Sequence, residues 1–106
     1  MTDEYRFLRY DVSGGIASIE LDRPPVNAIH EAMTDEYFDA LARADQDDAV
    51  KVLILSGRGK GLSAGADLRY LEAFGTQEMA EFLEKFYVQQ VERVRGLKKP
   101  IVASVH

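Results

Sequence analysis

Two short runs near the start of the chain, Phe7 to Val12 and Ile16 to Leu21, alternate loosely between apolar and polar positions, and Gly14-Gly15 lies between them. Alternation with a period of two turns one face of each run toward a core, and a Gly-Gly pair suits a tight hairpin turn. Arg23-Pro24-Pro25 ends the second strand, because a proline donates no ladder hydrogen bond. From Ala28 to about Asp45 the period changes. Ile29, Met33, Tyr37, Leu41 and Ala44 recur at spacings of four, four, four and three, the stripe of one helix face. Asn27 stands where an N-cap would stand, and Gln46-Asp47-Asp48 makes a polar exit.

Val50 to Leu55 is almost continuously apolar, interrupted by Lys51, as a strand covered on both faces requires, and it ends at Ser56-Gly57. A glycine-rich stretch from Gly57 to Gly65 leads into Asp67-Leu68-Arg69-Tyr70-Leu71, which reads as a short helix ending near Gly75. Thr76 is placed to cap a longer helix. Met79, Phe82, Leu83, Phe86, Val94 and Leu97 share its apolar face, and it ends around Gly96. Lys98-Lys99-Pro100 breaks that helix, and Ile101 to Val105 reads as another buried strand. The order β-β-α-β-loop-α-α-β, with strands joined through helices, predicts an α/β fold. A parallel strand at the position of Ile101 to Val105 normally feeds a further loop and helix, so a chain stopping at His106 reads as cut. Residues 1–106 contain no internal repeat, low-complexity tract or linker.

Composition narrows the classes. The chain has 106 residues, room for one small domain, with thirteen Lys and Arg against eighteen Asp and Glu and a net charge of −5. That balance, with Lys98-Lys99 the only adjacent basic pair, argues against nucleic acid and anionic membrane surfaces as partners. The absence of cysteine excludes disulfides, thiolate metal sites and thiol nucleophiles. No apolar run approaches the ~20 residues of a membrane helix. The acidic start Met1-Thr2-Asp3-Glu4 resembles neither a secretory signal nor a transit peptide. A soluble cytoplasmic protein is expected.

Candidate chemistry concentrates in Leu62-Ser63-Ala64-Gly65-Ala66-Asp67-Leu68, where a buried strand runs through a glycine loop into a helix start. Such a loop reads in two ways: as a tight turn packed on the sheet, or as a site whose free backbone N–H groups and helix dipole stabilise developing negative charge. Gly65 permits a positive φ and close substrate approach, and Asp67 can cap the helix.

Four blocks, read together, resemble the enoyl-CoA hydratase/isomerase (crotonase) family: Leu21-Asp22-Arg23-Pro24-Pro25-Val26-Asn27-Ala28, Val52-Leu53-Ile54-Leu55-Ser56-Gly57, Leu62 to Leu68, and Lys99-Pro100-Ile101-Val102-Ala103. The resemblance runs from about Phe7 to His106. It implies the N-terminal portion of a single domain of the crotonase spiral type. It also implies that the Ala66 backbone N–H is one of two oxyanion-hole donors to a thioester carbonyl. Ala64 matches a position whose backbone meets the adenine end of coenzyme A; Gly65, Asp67, Leu68 and Arg69 line the same groove, and Pro25 and Val26 border it. Arg23 reads either as a neighbour of the CoA phosphates or as a solvated charge at a strand end. The second oxyanion donor and the catalytic glutamates would fall after His106.

The reaction implied is addition of water to a 2,3-trans-enoyl-CoA. The alternatives are a Δ3,Δ2-enoyl-CoA isomerase or another crotonase-type lyase and, in another class, a non-catalytic fragment that binds CoA or a partner. The alanine at position 66 resembles the hydratase and isomerase branches more than the decarboxylating ones. No metal or redox cofactor is implied, since coenzyme A arrives with the substrate, and a homotrimer or hexamer is expected of a full-length chain. Within the chain, Glu72, Glu78, Glu81 and Glu84 read as a solvated helix face. His30 reads as a surface residue, His106 as a lining or supporting one, and Tyr70 and Tyr87 as packing residues.

Overall fold

A computed structural model describes residues 5–105. The hairpin forms where the alternation places it, with β1 (Leu8–Ser13) antiparallel to β2 (Ile16–Leu21) and the turn at Gly14 and Gly15, both at positive φ. Helix α1 (Glu31–Gln46) returns the chain to β3 (Val52–Gly57), which lies parallel to β2. Strand β4 (Ile101–Ala103) pairs parallel with β3 and completes a sheet of order β1-β2-β3-β4. Between β3 and β4 run the one-turn helix α2 (Leu68–Leu71) and a long helical arm. The arm begins as α3 (Thr76–Leu83), widens into a π-helical stretch (Glu84–Gln89) and resumes as α4 (Gln90–Arg95).

One face of the sheet packs on α1. Ala17, Ile19 and Leu53 from the strands meet Met33, Ala40, Leu41 and Ala44 from the helix, all at 1% exposure or less. Burial of this kind stabilises by about 25 cal/mol per Å² of apolar surface removed from water. The C-terminus of α1 is closed by Lys99, whose Nζ donates to the carbonyls of Ala44 and Asp47 at 2.8 and 2.5 Å. That cation therefore sits at the negative end of the helix dipole, on the segment that leads into β4.

Several expectations change. The α1 helix starts at Glu31 rather than Ala28, and His30, not Asn27, occupies its N-cap position. Thr76 is the first residue of α3 and does not cap it; Glu78 instead reaches back to accept a hydrogen bond from Gly75 N at 3.0 Å. Strand β4 is shorter than Ile101 to Val105 and is not buried: Val102 is exposed, because among the described residues β4 is the sheet edge and only β3 covers one side of it. The apolar stripe of the arm also divides. Phe82 is buried and Val94 and Leu97 pack on the core, whereas its neighbour Leu83 is exposed; the π-helical turn that follows shifts the positions after it relative to a 3.6-residue spacing.

Candidate active site

The glycine loop and the loop after β2 are locked together through Asn27. This residue sits at φ 53° and is 2% exposed. Asparagine is among the few non-glycine types that tolerate the left-handed region. Its Oδ1 accepts from Arg23 N at 2.8 Å, and its Nδ2 donates to Arg58 O and Leu62 O, both at 3.0 Å, and more weakly to Gly61 O. Ser63 Oγ donates to the Asn27 carbonyl at 2.6 Å and accepts from Gly65 N at 3.0 Å. Ala64 N donates to Val26 O at 2.9 Å. Gly57 lets the two ends of the loop meet: a Cβ there would lie 2.3 Å from Leu62 O.

Ala66 is fixed by a single parallel bridge to Ile29. Ile29 N donates to Gly65 O at 2.7 Å, and Asp67 N donates to Ile29 O at 2.8 Å. Those two bonds flank Ala66, so its own N–H and C=O turn to the opposite side, as in any parallel ladder. Among the described residues nothing accepts a hydrogen bond from the Ala66 N–H. Gly65, at φ 99°, makes the turn that permits this.

The expected helix dipole is absent. Helix α2 is four residues long, and two of its first amides are taken: Asp67 Oδ1 accepts from Arg69 N and Tyr70 N at 3.1 and 3.3 Å. What the loop offers an incoming oxygen is the Ala66 N–H, turned away from its bridge partner.

The predicted residues converge. Pro25, Val26, Ala64, Ala66, Asp67, Leu68 and Arg69 line one groove of about 660 Å³, together with Arg23, Pro24 and Ala28. Gly65 shapes the loop behind it without lining it. Leu68, 75% exposed, and Val26 make the walls apolar. Arg23 is not a solvated strand-end charge: its Nη1 bonds Asp67 Oδ2 and Ala28 O, both at 2.7 Å, and ties the two loops across the groove. The Arg23 guanidinium, helped by the Tyr70 amide, holds the Asp67 carboxyl below its usual range.

Asn27 reads as a cap because it stands just before an apolar helical stripe; the Pro-Pro-Val-Asn run, which turns the chain between β2 and α1, is the signal in the sequence for a loop role. His30, expected at the surface, is half-buried. Its ring packs edge-on against Phe7 at 4.6 Å and Tyr70 at 5.7 Å, Nδ1 is buried without a partner, and burial, with Arg23 nearby, lowers its pKa. Tyr70 packs against Phe74 and Phe82 as expected, whereas Tyr87 is largely exposed. Glu81 pairs with Gln77, and Glu84 with Gln89, on the exposed face. His106 lies outside the described residues.

A sequence model of the enoyl-CoA hydratase/isomerase family matches residues 11–106. The chain belongs to that family. It is 30% identical over 91 residues to a probable enoyl-CoA hydratase of Bacillus subtilis, covering 86% of this chain and 35% of that protein. It is also 30% identical over 104 residues to 1,2-epoxyphenylacetyl-CoA isomerase of Escherichia coli, covering 94% and 40%. Among solved structures, a probable enoyl-CoA hydratase of Mycobacterium smegmatis superposes with a TM-score of 0.83 at 36% identity, over 94% of this chain and 40% of that one. The fold is that of the crotonases, and the chain spans about two fifths of the length of these relatives. No described helix is long and apolar enough to cross a membrane.

Proposed function

We propose that this chain forms the thioester-binding half of an acyl-CoA-processing enzyme, with the Ala66 N–H as one oxyanion donor and the adjoining groove as the CoA site. The observation that carries the reading is the Ala66 N–H, turned away from its bridge partner and unclaimed among the described residues, on a groove lined by the residues the family resemblance selects. A thioester carbonyl placed there accepts a fixed N–H whose alignment costs nothing when charge develops on the oxygen. Apolar walls at Val26 and Leu68 suit the flat faces of a nucleotide base, and Arg69 on the same rim suits phosphate.

The favoured reaction is hydration of a 2,3-trans-enoyl-CoA by a soluble, cytoplasmic homo-oligomer, in which the second donor and the acid–base glutamates come from sequence after His106. Asp67 is the one carboxylate among the groove's lining residues, and it is committed to Arg23 and to the α2 amides, so it is not free to shuttle protons. An isomerase is the second reading, favoured by the similarity to the Escherichia coli isomerase; both reactions use an enolate held in the same hole.

Isothermal titration with acetyl-CoA tests the binding half directly. Saturable binding is expected, weakened in Ala66→Pro, which deletes the donor without touching either bridge bond. In a full-length version the same substitution should lower turnover by about 10²–10³, the range for losing one oxyanion donor. Absence of binding to the native chain, or an undiminished Ala66→Pro variant, overturns the reading.

A further inference from the structure

The residue that follows the bridge partner of Ala66 is a histidine with one nitrogen sealed in. His30 lies between Phe7, ahead of β1, and Tyr70, on α2, with its ring edge-on to both at 4.6 and 5.7 Å. Its Nδ1 is buried and meets no partner among the described residues. A neutral imidazole can leave that nitrogen as an unused acceptor, at the cost of one unmade bond. A protonated ring cannot. Both nitrogens then donate, and the one at Nδ1 is a charged donor enclosed without an acceptor.

The surroundings do not rescue the charge. His30 stands at the N-cap position of α1, at the positive end of the helix dipole. Arg23, from the loop after β2, and Arg6, ahead of β1, add to that field. Two carboxylates oppose it, and both are already engaged. Asp67 holds Arg23 and the α2 amides, while Glu36 of α1 accepts from the Arg6 and Phe7 amides at 3.0 and 2.8 Å. Glu31, the next residue along α1, pairs with Lys85 and accepts from the Tyr70 hydroxyl at 3.5 Å. Attraction between an imidazolium and the two rings offsets only part of the loss.

The ring also closes a circuit around the oxyanion loop. Asp67 N donates to Ile29 O at 2.8 Å, and Tyr70 N donates to Asp67 Oδ1 at 3.3 Å. Ile29 is joined covalently to His30, whose ring leads back to Tyr70. Ala66 is held by this circuit, bridged to Ile29 and next in sequence to Asp67. Three of the four links persist in mildly acid solution, since the Asp67 carboxyl is held below its usual range. The ring contact is the link that a proton opens. With it open, α2 is free to lift from the start of α1, and the Ala66 N–H loses its direction.

We propose, building on the thioester reading above, that His30 is a positioning residue for the Ala66 N–H, and that its protonation unfastens α2 from α1 and switches thioester binding off. Burial, with Arg23 nearby, holds the His30 pKa below 6.5, so the ring is neutral at pH 7.5 and gains its proton as the pH falls through the lowered folded value. The test titrates the native chain, His30→Phe and His30→Ala from pH 7.5 to 5.0, over the range in which far-UV circular dichroism shows each chain folded. It reads the Ala66 amide by NMR and acetyl-CoA affinity by calorimetry. In the native chain the Ala66 amide should shift with the same inflection as the His30 ring protons. Affinity should fall by at least ten-fold more than in His30→Phe, whose wedge cannot titrate. That variant also corrects for the CoA phosphate monoester, which itself titrates near ~6. His30→Ala should bind weakly across the range, and His30→Phe should recover most of that loss at pH 7.5. An Ala66 amide that ignores the His30 titration, or an equal fall of affinity in His30→Phe, overturns this proposal and leaves the thioester reading standing. If the native chain fails to bind acetyl-CoA at pH 7.5, the thioester reading falls and takes this proposal with it.

Discussion

Around Ile19 and Leu53 the chain is held by apolar burial, with both residues fully enclosed between neighbouring strands and α1. Around Asn27, a few residues beyond the end of β2, it is held by hydrogen bonds, with the Asn27 side chain donating to several loop carbonyls and Ser63, Ala64 and Arg23 adding the rest. The first arrangement is redundant, because each apolar contact is weak, non-directional and shared among many neighbours. The second is not: one amide satisfies several carbonyls that no other described side chain reaches. A scaffold can tolerate repacking, whereas a site that must aim one N–H cannot. The difference places stability in the sheet and precision in the clasp.

The comparison is broken most forcefully from the scaffold side. Leu53→Ala removes a fully buried side chain from the middle of β3 and leaves a cavity that the flanking strands cannot close, at a cost of about 2–5 kcal/mol. Urea unfolding should show the loss as a lower midpoint for the whole chain, with the sheet and the glycine loop melting together. A midpoint within experimental error of the parent would mean that Leu53 is not part of the core that carries the fold.

Asn27→Ala should cost less and act locally. It orphans the Arg58 and Leu62 carbonyls and puts alanine at φ 53°, together about 2–3 kcal/mol. Hydrogen exchange should quicken at Ala64 and Asp67, whose amides bond across the clasp, while the α1 amides keep their protection. Acetyl-CoA affinity should fall with the loop's order. Asn27→Gly, which relieves the backbone but restores no bond, should recover about 1 kcal/mol of stability and none of the affinity. Uniformly faster exchange across α1 would show that the clasp and the scaffold are one cooperative unit.

The same contrast explains what could be read from the residues alone. Strands β1, β2 and β3 and the body of α1 follow from periodicity, because apolar patterning is a repeated signal and each position confirms its neighbours. The glycine loop was legible as a turn, since Gly65 needs its positive φ whatever the loop does. Asn27 carried no such repetition: one polar residue before a helical stripe reads as a cap, and only the folded chain shows it aimed at carbonyls 31 to 35 positions further along the sequence. The shortened β4 and the π-turn escaped for a related reason. Their form depends on what packs beside them, and that information is not local to Ile101–Ala103 or Glu84–Gln89.

The smallest expected effect separates the clasp's charged and neutral parts by pH. Arg23 and the α2 amides lower the Asp67 pKa in the folded chain, so the unfolded chain binds the proton more readily. Stability from this group is present above the unfolded value near 3.8 and is lost as pH falls through the depressed folded value. His30 acts in the same direction in a higher window. Burial lowers its pKa, with Arg23 and Arg6 lowering it further and Asp67 and Glu36 opposing, so its contribution is present above about 6.5 and declines as pH drops below it. Thermal melts between pH 7 and 2 should therefore fall in two steps. Asp67→Asn keeps an N-cap residue for α2 while removing the charge; it should flatten the lower step and, by removing a charge that opposes the His30 shift, deepen the upper one. His30→Phe should flatten only the upper one. If Asp67→Asn leaves the acid limb unchanged, the Arg23–Asp67 contact at 2.7 Å orders the groove without stabilising the fold, and the clasp owes its strength to its neutral hydrogen bonds.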